Sequence, residues 1–154
     1  MHRKVARMVA VGLGLALTLG VASCGGEEPV TRAAFVREAD ATCRSARRDM
    51  RLTGNAQRDP RAFAARLIEA RRALIADLDA IEAPEDLAGR YDSYLAALRE
   101  STDLSEQVVE QSGSDADGTP VLDGEAAATA RERDRASREA FNLARGLGFR
   151  TCTA

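Results

Sequence analysis

Residues 59–84 read DPRAFAARLIEARRALIADLDAIEAP, and the spacing of their apolar members decides the fold. Phe63, Leu67, Ala70, Leu74, Leu78 and Ile81 recur at steps of three and four, with Ile68 and Ile75 widening the line. That period belongs to a helix with one buried face. Asp59 offers an N-cap oxygen, Pro60 suits the first helical position, and Pro84 ends the run and opens the next helix. A single apolar stripe has to be buried against another element, so the neighbouring segments must supply partners.

They do so on both sides. Upstream, Phe35, Ala39, Cys43, Ala46 and Met50 form a second helical stripe, with Thr42 at its edge, over about Arg32 to Leu52. Thr31 is its cap, Val30 and Phe35 fit a hydrophobic staple, and Gly54-Asn55 stops it. Downstream, Leu87, Tyr91, Tyr94, Leu95 and Leu98 mark a third helix that thins toward Leu104 and Val108. Glu85 and Asp86 suit its positive start. A Gly/Ser/Asp-rich loop, Ser112 to Gly124, leads to an alanine-rich fourth helix carrying Ala126, Ala130, Ala140, Phe141, Ala144 and Leu147. No segment alternates at strand period. The expected fold is all-α, an up-down-up-down four-helix bundle over residues 31–152.

Charge is segregated along the chain. Residues 31–72 hold 11 Arg and 5 acids, 73–125 hold 2 Arg and 14 acids, and 126–154 hold 6 Arg and 3 acids. In the expected topology the acidic third helix lies beside the second and fourth, where its carboxylates would meet arginines. Each exposed pair is worth little. Helix four also offers an i,i+4 pair, Asp134 with Arg138.

The N-terminus is a different kind of segment. His2, Arg3, Lys4 and Arg7 precede an apolar run of 15 residues, Met8 to Ala22. A span needs roughly 20 apolar residues, whereas a basic start, a short apolar run and small residues describe a signal peptide. The run closes on Val21-Ala22-Ser23-Cys24, which resembles the bacterial lipobox. Residues 1–23 are therefore expected to be a lipoprotein signal peptide, with Cys24 lipidated by diacylglycerol and a fatty acid such as palmitate. Residues 24–30 then form a flexible tether. Ordinary signal-peptidase cleavage near Ser23 into a free secreted protein, or retention of the segment as an anchor, are the alternatives.

With Cys24 assigned to lipid, Cys43 and Cys152 remain as an even pair in an oxidising compartment. A bridge would add about 4–5 kcal/mol in the chain-entropy model; two free thiols holding a metal are the alternative. The bridge carries a geometric demand. Cys43 lies about 17 Å along the first helix at 1.5 Å per residue, so a fourth helix running to the chain end would overshoot it. Gly146 and Gly148 can end that helix near Leu147. Phe149 to Cys152 would then fold back against helix one, with Phe149 covering the open end of the core.

Absences bound the chemistry. His2 is the sole histidine and leaves with the signal, which excludes Ser-His-Asp and Cys-His catalysis and histidine-ligated zinc or haem. Over residues 24–154 there are 19 arginines, no lysine and 24 acids. That balance does not suit a nucleic-acid binder. Glu82, Glu85 and Asp86 read as capping and solvation. Ser114 to Gly118 lacks the first and twelfth ligands of a calcium loop. Arg37, Arg44, Arg48 and Arg51 share one side of helix one and could receive an anionic ligand, although a solvated face pairing with helix two or with a partner's acids explains them better. Tyr91 and Tyr94 could stack on a ligand but suit the core edge.

Phe35-x3-Ala39-Asp40-x2-Cys43, Ala83-Pro84, Tyr91-x2-Tyr94-Leu95-x2-Leu98 and Leu147-Gly148-x3-Cys152 together resemble small helical lipoproteins and secreted proteins of actinobacteria. The Thr153-Ala154 ending departs from their Cys-Gly close. The resemblance implies a helical fold, a disulfide and a surface location, and no activity. The expected role is a non-enzymatic envelope protein without cofactor or metal. It would be tethered to the outer face of the cell membrane, binding a protein partner or small anionic ligand but no nucleic acid. A structural or accessory subunit, and more distantly a carboxylate- or arginine-based enzyme, are the alternatives.

Overall fold

A computed structural model of the chain describes residues 29–51, 59–115 and 120–152. The signal peptide, Cys24, most of the tether, Gly54-Asn55 and the Asp117-Gly118 part of the acidic loop lie outside the described residues. Four helices carry the fold: α1 (Arg32–Arg51), α2 (Pro60–Asp79), α3 (Ala88–Gln111) and α4 (Gly124–Leu147). The expected all-α bundle is present. α4 packs along α3, α3 on α2 and α2 on α1, the chain-order neighbours of an up-and-down arrangement.

The starts of the helices follow the sequence. The Thr31 hydroxyl accepts from the Ala34 N–H at 3.2 Å, and Val30 packs onto the core as a staple. The Asp59 carboxylate accepts from the Ala62 N–H at 2.9 Å, with Pro60 next in line. The α2–α3 connection departs from expectation. α2 stops at Asp79, five residues before Pro84, and α3 begins only at Ala88. Proline disfavours helical geometry in the residue before it, and Ile81 instead turns into the core, 8% exposed. Glu85 and Asp86 thus lie in a separate turn, closed by the Leu87 N–H donating to the Pro84 carbonyl at 2.8 Å. The Leu78 carbonyl, near the end of α2, is taken up by the Tyr91 hydroxyl, which donates to it at 2.6 Å. A two-residue antiparallel ladder, β1 (Gly113–Ser114) with β2 (Pro120–Val121), ties the base of the loop expected to be unstructured.

Packing shifts some expected core lines. On α2 the buried residues are Ile68, Ile75 and Leu78, while Phe63, Leu67 and Leu74 are half-buried. On α3 the apolar stripe gives way to buried Ser101 and Thr102, whose hydroxyls donate to the Leu98 carbonyl at 3.0 and 2.8 Å. α4 buries Ala126, Ala130, Ala136, Ala140, Ala144 and Leu147, small residues that let it lie close on α3, and leaves Phe141 40% exposed rather than in the core. The expected charge pairing holds in part. Arg72 of α2 meets Glu106 of α3 at 2.6 Å, but the second bridge is reversed, with Arg99 of α3 on Asp79 of α2 at 2.7 Å. On α4 the recorded bridges are internal, Arg133 with Asp134 and Arg135 with Glu132, in place of the expected Asp134–Arg138 pair.

The C-terminal tail behaves as its glycines foretold. Gly148 takes a left-handed φ of 94°. Its N–H returns to the Arg145 carbonyl, and the Phe149 N–H returns to that of Ala144. This is the double bond of a Schellman cap. The chain then reverses. Phe149, 3% exposed, closes an aromatic cluster with Phe35, Tyr91 and Tyr94 at centroid separations of 5.3, 6.2 and 5.6 Å. Cys152 is bonded to Cys43, with Cα atoms 5.3 Å apart.

What holds the tail in line is Asp40, 7% exposed on α1. Its Oδ1 accepts from the Arg150 N–H at 2.9 Å, the Thr151 N–H at 2.8 Å and the Thr151 hydroxyl at 2.6 Å. Burial pushes the Asp40 pKa up, but the bonds from Thr151 and Arg150 and the charge of Arg44 together outweigh it. The carboxyl is held below its ordinary 3.8. A lowered folded pKa gives stability that is complete above 3.8 and is lost as pH falls through the folded value. Asp40→Ala, which leaves two half-buried N–H groups without their acceptor, should cost about 2 kcal/mol at neutral pH. In circular-dichroism melts from pH 6 to pH 2, the wild-type advantage over Asp40→Asn should shrink below about pH 4. An advantage constant across that range would show that Asp40 is not the charged clamp.

Candidate functional site

The backbones of α1 and α4 approach closely at few points, and a cleft of about 210 Å³ opens among the helices on that side. Every helix contributes to it. Cys43, Ala46, Arg47 and Met50 come from α1, and Arg71, Leu74 and Ile75 from α2. Tyr94, Leu98, Ser101 and Thr102 line it from α3, and Ser137, Ala140 and Phe141 from α4. Thr151 and Cys152 close one side, so the tail that Asp40 anchors is also a wall of the cleft.

Its chemistry is mixed in a definite way. The lining is apolar with five hydroxyls and two arginines, and it includes no carboxylate. Arg71 lines the cleft from α2, three residues after Ile68 and four before Ile75, both of which are buried, but is itself exposed. Desolvation at the cleft wall lowers its pKa, and the like charge of Arg133 lowers it further. An arginine nevertheless stays protonated in a protein, so the cleft has a cation at its edge. Arg133 is itself engaged by Asp134, at 2.7 Å. Tyr94, 1% exposed, has its phenol pushed above the usual range by burial and by Asp40, and remains neutral. At the rim, the Arg145 guanidinium lies 5.8 Å from the centre of the exposed Phe141 ring.

The residues singled out from sequence fall in three places. Cys43 and Cys152 are brought together as a disulfide that lines the cleft. Arg37, Arg44, Arg48 and Arg51 are all exposed on α1 and none lines the cleft; Arg44 alone is felt at a buried group, through its charge on Asp40. Tyr91 and Tyr94 belong to the core, with Tyr94 forming part of the cleft wall. Glu82, Glu85 and Asp86 are exposed and gather no cleft around them. Cys24 is outside the described residues.

Sequence spacing assigns no role to Asp40 or Arg71, because Ala39 and Ala70 fill the stripe positions beside them and neither charge interrupts its line. Their significance comes from partners distant in the chain, which no local pattern marks. Among the described residues no group of histidine, cysteine and carboxylate side chains could hold a metal, and no helix is long and apolar enough to cross a membrane. No protein-family model, curated protein or solved structure matches the chain.

If Arg71 serves the cleft and not the fold, replacing it by an apolar side chain should cost no stability. Arg71→Met should leave the urea-unfolding free energy unchanged or raise it by about 0.5–1 kcal/mol. A loss above about 1 kcal/mol would show that Arg71 is a structural partner instead.

Proposed function

We propose that the protein is a non-catalytic, lipid-anchored envelope protein on the extracytoplasmic face of the membrane, and that it holds a small anionic ligand in the cleft between α1 and α4. The address rests on the Val21-Ala22-Ser23-Cys24 box behind a basic and apolar leader. It agrees with a disulfide, which persists in oxidising compartments.

The binding reading rests on one observation. Arg71 lies in an apolar cleft beside Arg133, and the cleft lining includes no carboxylate to meet it. A guanidinium at the edge of an apolar cleft, with no carboxylate in the lining, can pair with an anion that brings its own negative charge to the site. This moves the candidate anion site from the stripe of Arg37, Arg44, Arg48 and Arg51, none of which lines the cleft, to the cleft edge at Arg71. The lipid on Cys24, followed by a short tether, would keep the domain near the membrane surface.

Both halves are open to test on the protein isolated from its producing cell. Intact-mass analysis should find a chain beginning at Cys24 and carrying acyl groups, while Cys24→Ala should accumulate as unprocessed precursor. An unmodified N-terminus on the mature chain would overturn the anchor. Native mass spectrometry of the gently extracted protein should show a bound anion that is lost from Arg71→Gln. Equal retention by both forms would overturn the cleft as the binding site.

A further inference from the structure

We infer that Tyr94 is the inner anchor of the cleft ligand, its phenol hydroxyl donating a hydrogen bond to an acceptor carried on a small apolar molecule. The inference rests on the reading of the cleft as a ligand site and is independent of the ligand's charge.

The hydroxyls of the lining single this residue out. Five of them face the cleft, from Tyr94, Ser101, Thr102, Ser137 and Thr151. Those of Ser101 and Thr102 donate to the Leu98 carbonyl, and that of Thr151 donates to Asp40. A hydroxyl has one proton to give, so these three are engaged. Ser137 is half-buried and within reach of water. Tyr94 is 1% exposed, and no described residue makes a hydrogen bond with its hydroxyl. Asp40, whose charge the phenol feels, is bonded to Arg150 and Thr151 instead. Nor is the Tyr94 oxygen sealed from solvent, as the unpartnered Gln111 Oε1 is. The little surface that Tyr94 keeps therefore includes its oxygen, and the cavity it borders is the cleft.

The fold gives no other reason for that oxygen. Tyr91, one turn earlier on α3, uses its hydroxyl on the Leu78 carbonyl at 2.6 Å. The Tyr94 ring has a structural task of its own, stacking on Tyr91 with centroids 6.2 Å apart and meeting Phe149 edge-on at 5.6 Å. Phenylalanine would perform that task without taking a hydroxyl out of water, which costs stability where no bond replaces it. A buried polar group without a partner in the chain calls for one from outside it.

The rest of the lining sets the body of the ligand. Leu74, Ile75, Leu98 and Ala140 are apolar and favour hydrocarbon over water. An apolar cavity of about 150 Å³ admits benzene, with six heavy atoms. By proportion, the 210 Å³ of this cleft takes about eight or nine. Acetophenone and benzoate fall in that range, the first with a neutral acceptor and the second with a charged one.

The test is calorimetric titration of the protein purified from its producing cell and held in lipid nanodiscs, with the heat of empty discs subtracted. Wild type and variant are compared for one ligand at a time, so partition of that ligand into lipid cancels. Acetophenone should bind wild type saturably and Tyr94→Phe about tenfold more weakly. Ethylbenzene, which has the apolar body and no acceptor, should bind both alike. In thermal melts Tyr94→Phe should keep the wild-type midpoint, whereas Tyr91→Phe, which frees the Leu78 carbonyl, should lose several degrees.

Acetophenone held equally by wild type and Tyr94→Phe would overturn the anchor, leaving a hydroxyl that binds water only. A matching loss of ethylbenzene would overturn it as well, since the shape of the cleft would then have changed. So would a fall in the Tyr94→Phe midpoint as large as that of Tyr91→Phe, because the hydroxyl would then serve the fold. Benzoate separates the anchor from the anion reading. Weakening by Arg71→Gln and not by Tyr94→Phe would overturn the anchor alone. Weakening by Tyr94→Phe and not by Arg71→Gln would support the anchor and overturn the anion. Absence of saturable binding by all three probes would overturn both.

Discussion

Three hydrogen bonds converge on one oxygen of a carboxylate that is almost out of reach of water, and the remaining architecture follows from where that oxygen is. Asp40 is fixed on α1 between Ala39 and Cys43, two residues of the buried stripe. By taking the Arg150 and Thr151 N–H groups it fixes the backbone of the tail at the two residues before Cys152. The disulfide then forms between sulfurs already brought to the same level. The two devices act on different states. Charged hydrogen bonds at about 1.5–3 kcal/mol each stabilise the native tail directly, while a bridge across a separation of 109 residues acts chiefly by restricting the unfolded chain. Phe149, just ahead of the clamp, is delivered into the aromatic cluster as a consequence.

The same constraint explains why the bundle is open on one side. Alanines let α4 settle closely on α3, and closeness at one seam leaves distance at another. α1 is joined to the far end of α4 by the tail instead of by helix-to-helix packing. The cleft occupies what the tail leaves unfilled, and Ser101 and Thr102 take positions where larger apolar side chains would have filled more of it. Two cations, Arg32 and Arg90, reach the Gly146 carbonyl at the C-terminal end of α4 at 3.5 and 3.3 Å, where positive charge suits the helix dipole.

Much of this was legible because it is local or arithmetical. Helix caps at Thr31 and Asp59, the end of α4 at Gly148 and the pairing of the two cysteines all follow from short-range rules about backbone donors, glycine and parity. The α2–α3 corner was less legible. Pro84 marks a break, but the position of the break was set by Ile81 entering the core and by Tyr91 reaching the Leu78 carbonyl, a partner 13 residues away in the chain. Phe141 shows the opposite failure. It shares a helical period with buried alanines yet lies at the rim, because the seam it would have sealed is held open.

The two arginine arrangements differ in what surrounds them, and that difference carries the functional argument. Arg37, Arg44, Arg48 and Arg51 occupy a solvated helix face, where arginine is a good helix former and needs no compensation. Their alignment is therefore uninformative about function. Arg71 is exposed as well, but it stands at the edge of an apolar cleft whose lining includes no carboxylate, and within the field of Arg133. An anion seated there would meet positive charge at one end and apolar side chains at the other, a setting that the α1 stripe does not offer.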